Sequence, residues 1–563
     1  MPKFIQRAIQ ENHFRKLSEA GIHPTLARIL AARGIATPSE LENTFSHMIS
    51  PDKLLNLDKA ATLLADAIMD QQKMTVVADY DCDGATACAT AIEGIRMLGG
   101  NIDYLMPDRF TNGYGLTPAI SEQAYREHQT DVLITVDNGI SSIDGVRKAV
   151  DLGMKVVITD HHLPGEKKPD GCIIVNPNQR GCDFPSKSLA GVGVIFYVLL
   201  GIRAEMRTRG IFSKENQPRI DTLLDFVALG TVADVVPLDH NNRILVAQGL
   251  HRIRSGLAHP GINALFSIAS RRIQKASVTD LGFSIGPRLN AAGRLSDMSI
   301  GVECLLAKQS ENAFNYAKAL NDINGKRQKL EEDMQEEAMD NLRHFDTQKD
   351  FSICIHSGNW HQGIIGLLAS HIREKFYRPT IVFTTDSNGN FQGSGRSIPQ
   401  IHLRDAIARI AEQQPDIILK FGGHAMAAGL TVQGGKLDEF SGLLETDIQH
   451  QLSYELPEPV IETDGTLDTG YLSEDFVELL GSIVWGQHFP SPTFYDEFTV
   501  LDQRILKNAH LKLRLKRNGH IYNAIQFGNN ALLPEKIHLA YRPVINDFNN
   551  RKTVELMIES VDI

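Results

Sequence analysis

Asp79, Asp81 and Asp83 stand at alternate positions in the stretch TVVADYDCDGATA (75–87), directly after a run of β-branched and small apolar residues. In an extended segment residues i, i+2 and i+4 share a face, so this spacing crowds three carboxylates into one small volume. Like charges that close repel unless some take up protons or a cation sits among them. The stretch therefore points to a metal site. Further acids and imidazoles follow at Asp137 in TVDNG, at Asp160, His161 and His162 in TDHH, and at Asp234 in GTVADVVPL. All are read as strand ends, where a charge leaving an apolar run needs a partner. Any one of these aspartates could simply cap a helix; as a set they argue for one acid-lined crevice. Carboxylates with one or two imidazoles favour Mn²⁺ or Mg²⁺ over structural Zn²⁺. Cys82 alternates with the aspartates and is expected to face the core rather than an ion. The number of acids suits two divalent cations. Two ions about 3.5–4 Å apart stabilise both the attacking and the leaving oxygen of a phosphoryl displacement.

The elements that must position these residues alternate in type. MTVVAD, DVLITVD and KVVITD are apolar runs of the kind found in buried parallel strands. Each is followed by helix-like sequence such as SIDGVRKAVDL (142–152). This rhythm predicts an α/β domain with a doubly wound parallel sheet, in which ligands collect beyond the carboxyl ends of the strands. Residues 1–70 read as a helical N-terminal cap on that core, and 71–310 as the domain holding the acids. A long charged helix over 311–345 links it to a second α/β domain at 346–455. Gly325 weakens that helix, and close packing against a ligand or another backbone would explain it. Residues 456–563 turn β-rich. There LKLRL (511–515) alternates leucines with Lys512 and Arg514, continuing to Lys516 and Arg517, as in a small barrel with one cationic face. Trp360 and Trp485 read as packing residues.

Bulk properties set limits. The chain has 563 residues, 42% of them apolar and 22% charged, in the range of globular proteins of several domains. A formal charge of −11 excludes an all-over basic coat but leaves room for a local basic channel. Six scattered cysteines without a C-x-x-C pair argue against structural zinc and a disulfide framework. With no apolar leader and no run long enough to span a bilayer, the expectation is a cytoplasmic protein with no membrane partner.

ADYDCDGATA, TVDNG, TDHH and GTVADVVPL, in this order, resemble the four phosphoesterase motifs of the DHH superfamily, whose name is the triplet at 160–162. IGPRLNAAGR (285–294), HQGIIGLL (361–368), GSGRS and FGGHAMAAG resemble one branch of it, the bacterial single-strand-specific exonucleases. The resemblance covers nearly the whole chain and implies a DHH phosphoesterase domain, a DHH-associated domain and a C-terminal barrel of the oligonucleotide-binding (OB) type. It implies that Asp79 and Asp81 serve one metal, that Asp83, His161 and Asp234 serve the other, and that Asp137 bridges. His162 would contact the scissile phosphate, with Asp160 orienting an imidazole.

For the substrate it implies Arg109 and Tyr114 in MPDRFTNGYG (with Phe110 a further stacking candidate), and Arg288, Asn290 and Arg294 in a turn-rich, polar piece. Ser394, Gly395 and Arg396 would form a pocket for a terminal phosphate, with Gly422, Gly423 and His424 in the same associated domain facing the metal site. The activity implied is 5′-to-3′ exonucleolysis of single-stranded DNA to 5′-mononucleotides, by a monomer acting in recombination and mismatch repair beside a helicase and a single-strand-binding protein. Two rivals share the fold. One is a phosphoesterase acting on short oligonucleotides or cyclic dinucleotides; the long chain and basic barrel argue against it. The other is a non-catalytic replication scaffold, which would need degraded metal motifs.

Overall fold

The computed structural model describes residues 2–107, 113, 115–507, 509–548 and 551–562. These form two compact units, one of residues 6–324 with 463–563, the other of residues 1–5 with 325–462. The chain opens with a short strand, β1 (Lys3–Gln6).

The larger unit is built on five strands, β2 (Lys73–Ala78), β3 (Asn101–Leu105), β4 (Val132–Val136), β5 (Lys155–Thr159) and β6 (Ile173–Val175). They lie in the order β3-β2-β4-β5-β6 and every pairing is parallel. All five residues of β4 are buried, as are the last five of β2, which is why these strands read as unbroken apolar runs instead of alternating ones. The connection reverses direction between β2 and β4, so this edge of the sheet opens a crevice at their carboxyl ends. Asp79 and Asp137 are the residues that emerge there.

The smaller unit carries a mixed sheet of β7 (Ile353–His356), β8 (Thr380–Thr385), β9 (Phe391–Arg396), β10 (Ile418–Gly423) and β11 (Ala427–Val432). Only β7 and β8 run parallel in the order β10-β11-β9-β8-β7. A further strand, β12 (Val460–Thr463), pairs with β1.

The last strands, β13 (Phe494–Leu506), β14 (His510–Arg517), β15 (His520–Phe527), β16 (Lys536–Phe548) and β17 (Arg551–Asp562), close a barrel in the order β13-β14-β15-β17-β16. Leu511, Leu513 and Leu515 point into it and are fully buried, while Arg514 and Lys516 point out. Each buried leucine stabilises the barrel by about 1.5–3 kcal/mol. A one-residue slip of register would turn all three to solvent.

Three expectations need correction. The helices Glu11–Glu19 and Pro24–Ala31 do not cap the parallel-sheet core; their Leu17, Leu26, Ile29 and Leu30 share a core with Phe494, Phe498 and Leu513 of the barrel. An amphipathic pattern says that a face is buried, not against what. GTVAD is no strand end either. Residues Leu224–Ala233 form a helix buried almost all round, and Asp234 ends it. A short apolar run cannot be told from a strand by periodicity when every face is covered. Gly325 lies within the continuous helix Ser310–Asn341, and a Cβ there would meet nothing within 4 Å, so close packing does not account for it. It falls where the two units divide.

Candidate metal centre

The acid stretch is shaped by its neighbours more than by strand alternation. β2 ends at Ala78, Asp81 caps the helix Cys82–Met97 by accepting the Gly84 N–H at 2.9 Å, and Asp83 lies in that helix's first turn. The three carboxylates are therefore gathered by a strand-to-helix turn, not by one extended face. Gly84 is required in that turn, because a Cβ would lie 2.2 Å from the Asp79 carbonyl oxygen. Cys82 is buried, and burial beside the aspartates pushes its thiol pKa up, so the unreactive thiol form prevails.

Asp83 is fully buried and receives two amides from the start of the helix Gly191–Thr208, Gly191 N–H at 2.6 Å and Val192 N–H at 3.0 Å. A helix N-terminus favours a carboxylate there. Asp137 follows β4 at φ 61°, a left-handed conformation costly for a residue with a side chain. Its carboxylate abuts Gly191, where a Cβ would lie 2.6 Å from Asp137 Oδ1.

Around His161 Nε2 stand Asp137 Oδ1 at 3.0 Å, Asp234 Oδ2 at 3.5 Å and Asp83 Oδ2 at 4.0 Å. A backbone hydrogen bond at Leu189 engages the His161 ring elsewhere. Burial, and then the neighbouring His162, push the His161 pKa down to about 4, so it is neutral near pH 7 and can act as a ligand. His162 behaves oppositely. Although burial lowers its pKa, the bond from Nδ1 to Asp160 Oδ1 at 2.8 Å outweighs this and lifts it to about 9. Asp160 is held in turn by the amides of Ile140, His161 and His162.

The remaining acids are unsettled. Burial first, and then Asp81, raise Asp79 to about 8 and Asp83 to about 7; Asp137 and Asp234 are driven well above the usual carboxylate range by burial and by Asp83. Asp137 Oδ1 and His161 Nε2 are buried without a hydrogen-bond partner. Buried, mutually repelling oxygens and an unpaired imidazole nitrogen are the chemistry of a cation site. Three groups have ligand atoms all within 4.8 Å of one another: Asp79, Asp81 and Asp137; Asp83, His161 and Asp234; Asp137, His161 and His162. Asp137 and His161 each belong to two groups, so the set fits adjacent positions for more than one ion.

Other residues marked in the sequence fall elsewhere. Arg109, Phe110 and Tyr114 lie outside the described residues. IGPRLNAAGR is largely the helix Gly286–Leu295, entered through Pro287, instead of a turn-rich piece. Asn290 Oδ1 accepts the Cys82 N–H at 2.8 Å, and Gly293 lies against the Tyr80 carbonyl, so this helix braces the acid turn. Arg288 bonds Asn321 Oδ1 at 3.1 Å, and Arg294 sits in the last turn of the same helix.

In the smaller unit Ser394, Gly395 and Arg396 on β9 pair with Gly429, Ala428 and Ala427 of β11, whose other edge carries Gly422 and Gly423 on β10. Arg396 Nη1 donates to the Gly395 carbonyl at 2.8 Å, and Gly366 leaves room for this guanidinium and Ser394. His424 follows β10, its N–H bonded to Ala427.

Several contributors were missed. Asn176 Nδ2 donates to the His162 carbonyl at 2.9 Å and Asn178 Nδ2 to the His161 carbonyl at 2.6 Å, fixing the backbone of the histidine pair. NPN directly after an apolar IIV was the available signal, but three strand residues are too few to stand out. Gly191 and Gly230, which makes room for Thr86 and Asp83, act through an absent Cβ that no pattern reveals.

Comparison with known proteins places these features in a family. The family models for the DHH family N-terminal domain, the DHHA1 domain and the RecJ OB domain match residues 73–231, 350–449 and 463–560. The chain is 44% identical to the single-stranded-DNA-specific exonuclease RecJ of Haemophilus influenzae and 42% identical to that of Escherichia coli, covering 96% of each partner and of itself in both cases. Among solved structures it is similar to RecJ of Thermus thermophilus in complex with Mn²⁺, with a TM-score of 0.83 and 26% identity over 100% of this chain and 79% of that one. A second, an exonuclease RecJ bound to manganese, matches with a TM-score of 0.60 and 30% identity over 72% and 96%. On this full-length likeness, the chain belongs to the RecJ family of DHH-superfamily exonucleases.

Proposed function

We propose that the protein is a 5′-to-3′ exonuclease that hydrolyses single-stranded DNA to 5′-mononucleotides with the help of two divalent cations, Mn²⁺ or Mg²⁺. The observation that carries this is the buried to half-buried cluster of Asp79, Asp81, Asp83, Asp137, His161 and Asp234, with its overlapping ligand groups at the sheet's switch point. The RecJ relatives named above supply the substrate class. Asp79 and Asp81 would hold one ion, Asp83, His161 and Asp234 the other, and Asp137 would serve both. When bound, the ions lower the pKa of water and neutralise charge developing on the phosphoryl oxygens.

The chain's own groups do the rest. Asp160 fixes His162 through Nδ1 and keeps it protonated near neutral pH, so Nε2 is the nitrogen that donates to a phosphate oxygen. His161, held neutral, contributes a lone pair instead of a charge. Arg288, Asn290 and Arg294, with Arg109 and Tyr114, contact the strand, Asn290 also bracing the acid turn. Ser394, Gly395 and Arg396 bind the 5′ phosphate, aided by Gly422, Gly423 and His424, which makes cleavage count inward from that end. We assign residues 1–70, 71–310, 311–345, 346–455 and 456–563 to N-terminal, catalytic, connecting, substrate-binding and OB segments. A helicase that exposes single strands and a single-strand-binding protein are the partners such an activity needs in recombination and repair. We further assign the protein to the cytoplasm and to a monomeric state.

Incubation with 5′- and 3′-labelled single and double strands, in Mg²⁺ or Mn²⁺, tests the reading. A labelled mononucleotide released first from the 5′-labelled single strand supports it. First release from the 3′ end, or cleavage of dinucleotides alone, contradicts it.

A further inference from the structure

Phe283 is 82% exposed, an unusual state for a phenylalanine, and it stands on a single π-helical turn, Leu281–Ile285. Such turns insert an extra residue into a helix and are frequent at functional sites. This one is anchored from behind. A Cβ at Gly282 would lie 3.3 Å from Val232, and one at Gly286 would lie 3.1 Å from Ala233, so the turn rests on the end of the helix that delivers Asp234.

Two guanidiniums converge on the next residue, Ser284. Arg271 Nε donates to Ser284 Oγ at 3.1 Å, and Arg288 Nη1 donates to the Ser284 carbonyl oxygen. Asp280 Oδ1 lies 3.6 Å from Arg271 Nε. The two like charges lie close enough that, after burial, Arg271 is the further cause lowering the Arg288 pKa. Val235, also exposed and held at φ 61°, follows Asp234 directly.

An outward aromatic ring with two cationic side chains bonded to the adjacent residue matches the chemistry of a flexible polyanion carrying flat, apolar rings. A double helix hides its bases and offers such a ring only its terminal pair. We infer that Phe283 is a positioning residue on which one base of the single strand stacks, with Arg271 and Arg288 drawing the adjoining phosphates beside the acid cluster. The inference rests on the single-stranded-DNA reading above and adds to it a sequence-independent grip on the base. Stacking of this kind tolerates every base because each has a π face.

Kinetics of wild type, Phe283→Ala and Phe283→Trp on oligothymidylate, beside binding of an abasic strand of equal length, test it. Phe283→Ala should raise KM on oligothymidylate about tenfold while kcat stays within about twofold, and should leave affinity for the abasic strand unchanged. Phe283→Trp should keep the wild-type KM, and its added indole fluorescence should fall on binding oligothymidylate but not the abasic strand. An unchanged KM in Phe283→Ala, as for a ring that docks a protein, overturns the inference. An equal loss of affinity for the abasic strand overturns it as well. A wild-type chain that binds neither strand would overturn the single-strand reading itself, and the inference with it.

Discussion

The acid cluster of the larger unit and the glycine-rich sheet of the smaller one hold their polar groups in opposite ways. Asp83, Asp137 and Asp160 are almost wholly buried and each is fixed by its surroundings, whether by backbone amides, a strained φ or a histidine. On β9 to β11, Gly422 and Gly429 meet next to nothing where a Cβ would stand, so the backbone there lies open. The first region accepts repulsion among its carboxylates in order to bind cations tightly. The second exposes backbone at Gly422 and Gly429, the kind of open main chain that recognition of an anion would use. Chemistry and recognition are thus expected to separate on mutation.

The strongest break should come from Asp83→Asn. It keeps the shape of a side chain that meets two helix amides, whereas Asp83→Ala would leave both amides unpaired and blur loss of function with loss of fold. Hydrolysis should fall at least about a thousandfold with single-strand affinity retained, as read by single-turnover rates beside a filter-binding titration. Arg396→Ala should do the converse. The preference for a 5′-phosphorylated over a 5′-hydroxyl strand should shrink about tenfold while Mn²⁺ affinity stays constant, and an unchanged preference removes Arg396 from that role. Asn178→Ala, which frees the His161 carbonyl, should weaken Mn²⁺ binding by about tenfold, measurable by calorimetry.

The smallest effect concerns pH. Asp79 and Asp83 titrate near 8 and 7 in the folded chain, above the usual value of about 4 for an aspartate. Carboxyls raised in this way stabilise the ion-free protein fully below pH of about 4 and lose that contribution as pH rises through 7 to 8. His162, raised to about 9, acts in the same direction, its contribution present below about 6.5 and lost through 9. Tm in chelator should therefore drop by a few degrees between about pH 6 and 9, and added Mn²⁺ should restore more of it at the higher pH. The smaller unit's sheet offers no comparable buried acid cluster among the described residues. Asp83→Asn should flatten the slope, whereas Arg396→Ala should not.

Much of the site was legible because its residues are charged and leave apolar runs. Asp79, Asp137 and Asp160 directly follow the strands read in MTVVAD, DVLITVD and KVVITD. Asp234 was found for its type but placed on the wrong element, since a helix buried on all sides lacks the 3.6-residue signature. Asn290 was marked for substrate although its side chain holds the Cys82 amide; a polar residue advertises a bond, not its partner. Gly191, Gly230 and Gly293 act by close approach, which only coordinates reveal. The barrel's leucine alternation was plain, but that the first two helices complete its core depends on contacts more than 400 positions apart in sequence, such as Arg33 to Asp464, which local pattern cannot encode.

Whether the six ligand residues hold two ions is decided by counting them. Crystals soaked in Mn²⁺ and measured at the manganese absorption edge should show two anomalous peaks per chain, one beside Asp79 and Asp81 and one beside Asp83, His161 and Asp234, with Asp137 contacting both. A single peak at saturating Mn²⁺, or peaks away from these residues, would rule out a two-ion centre built from these six side chains.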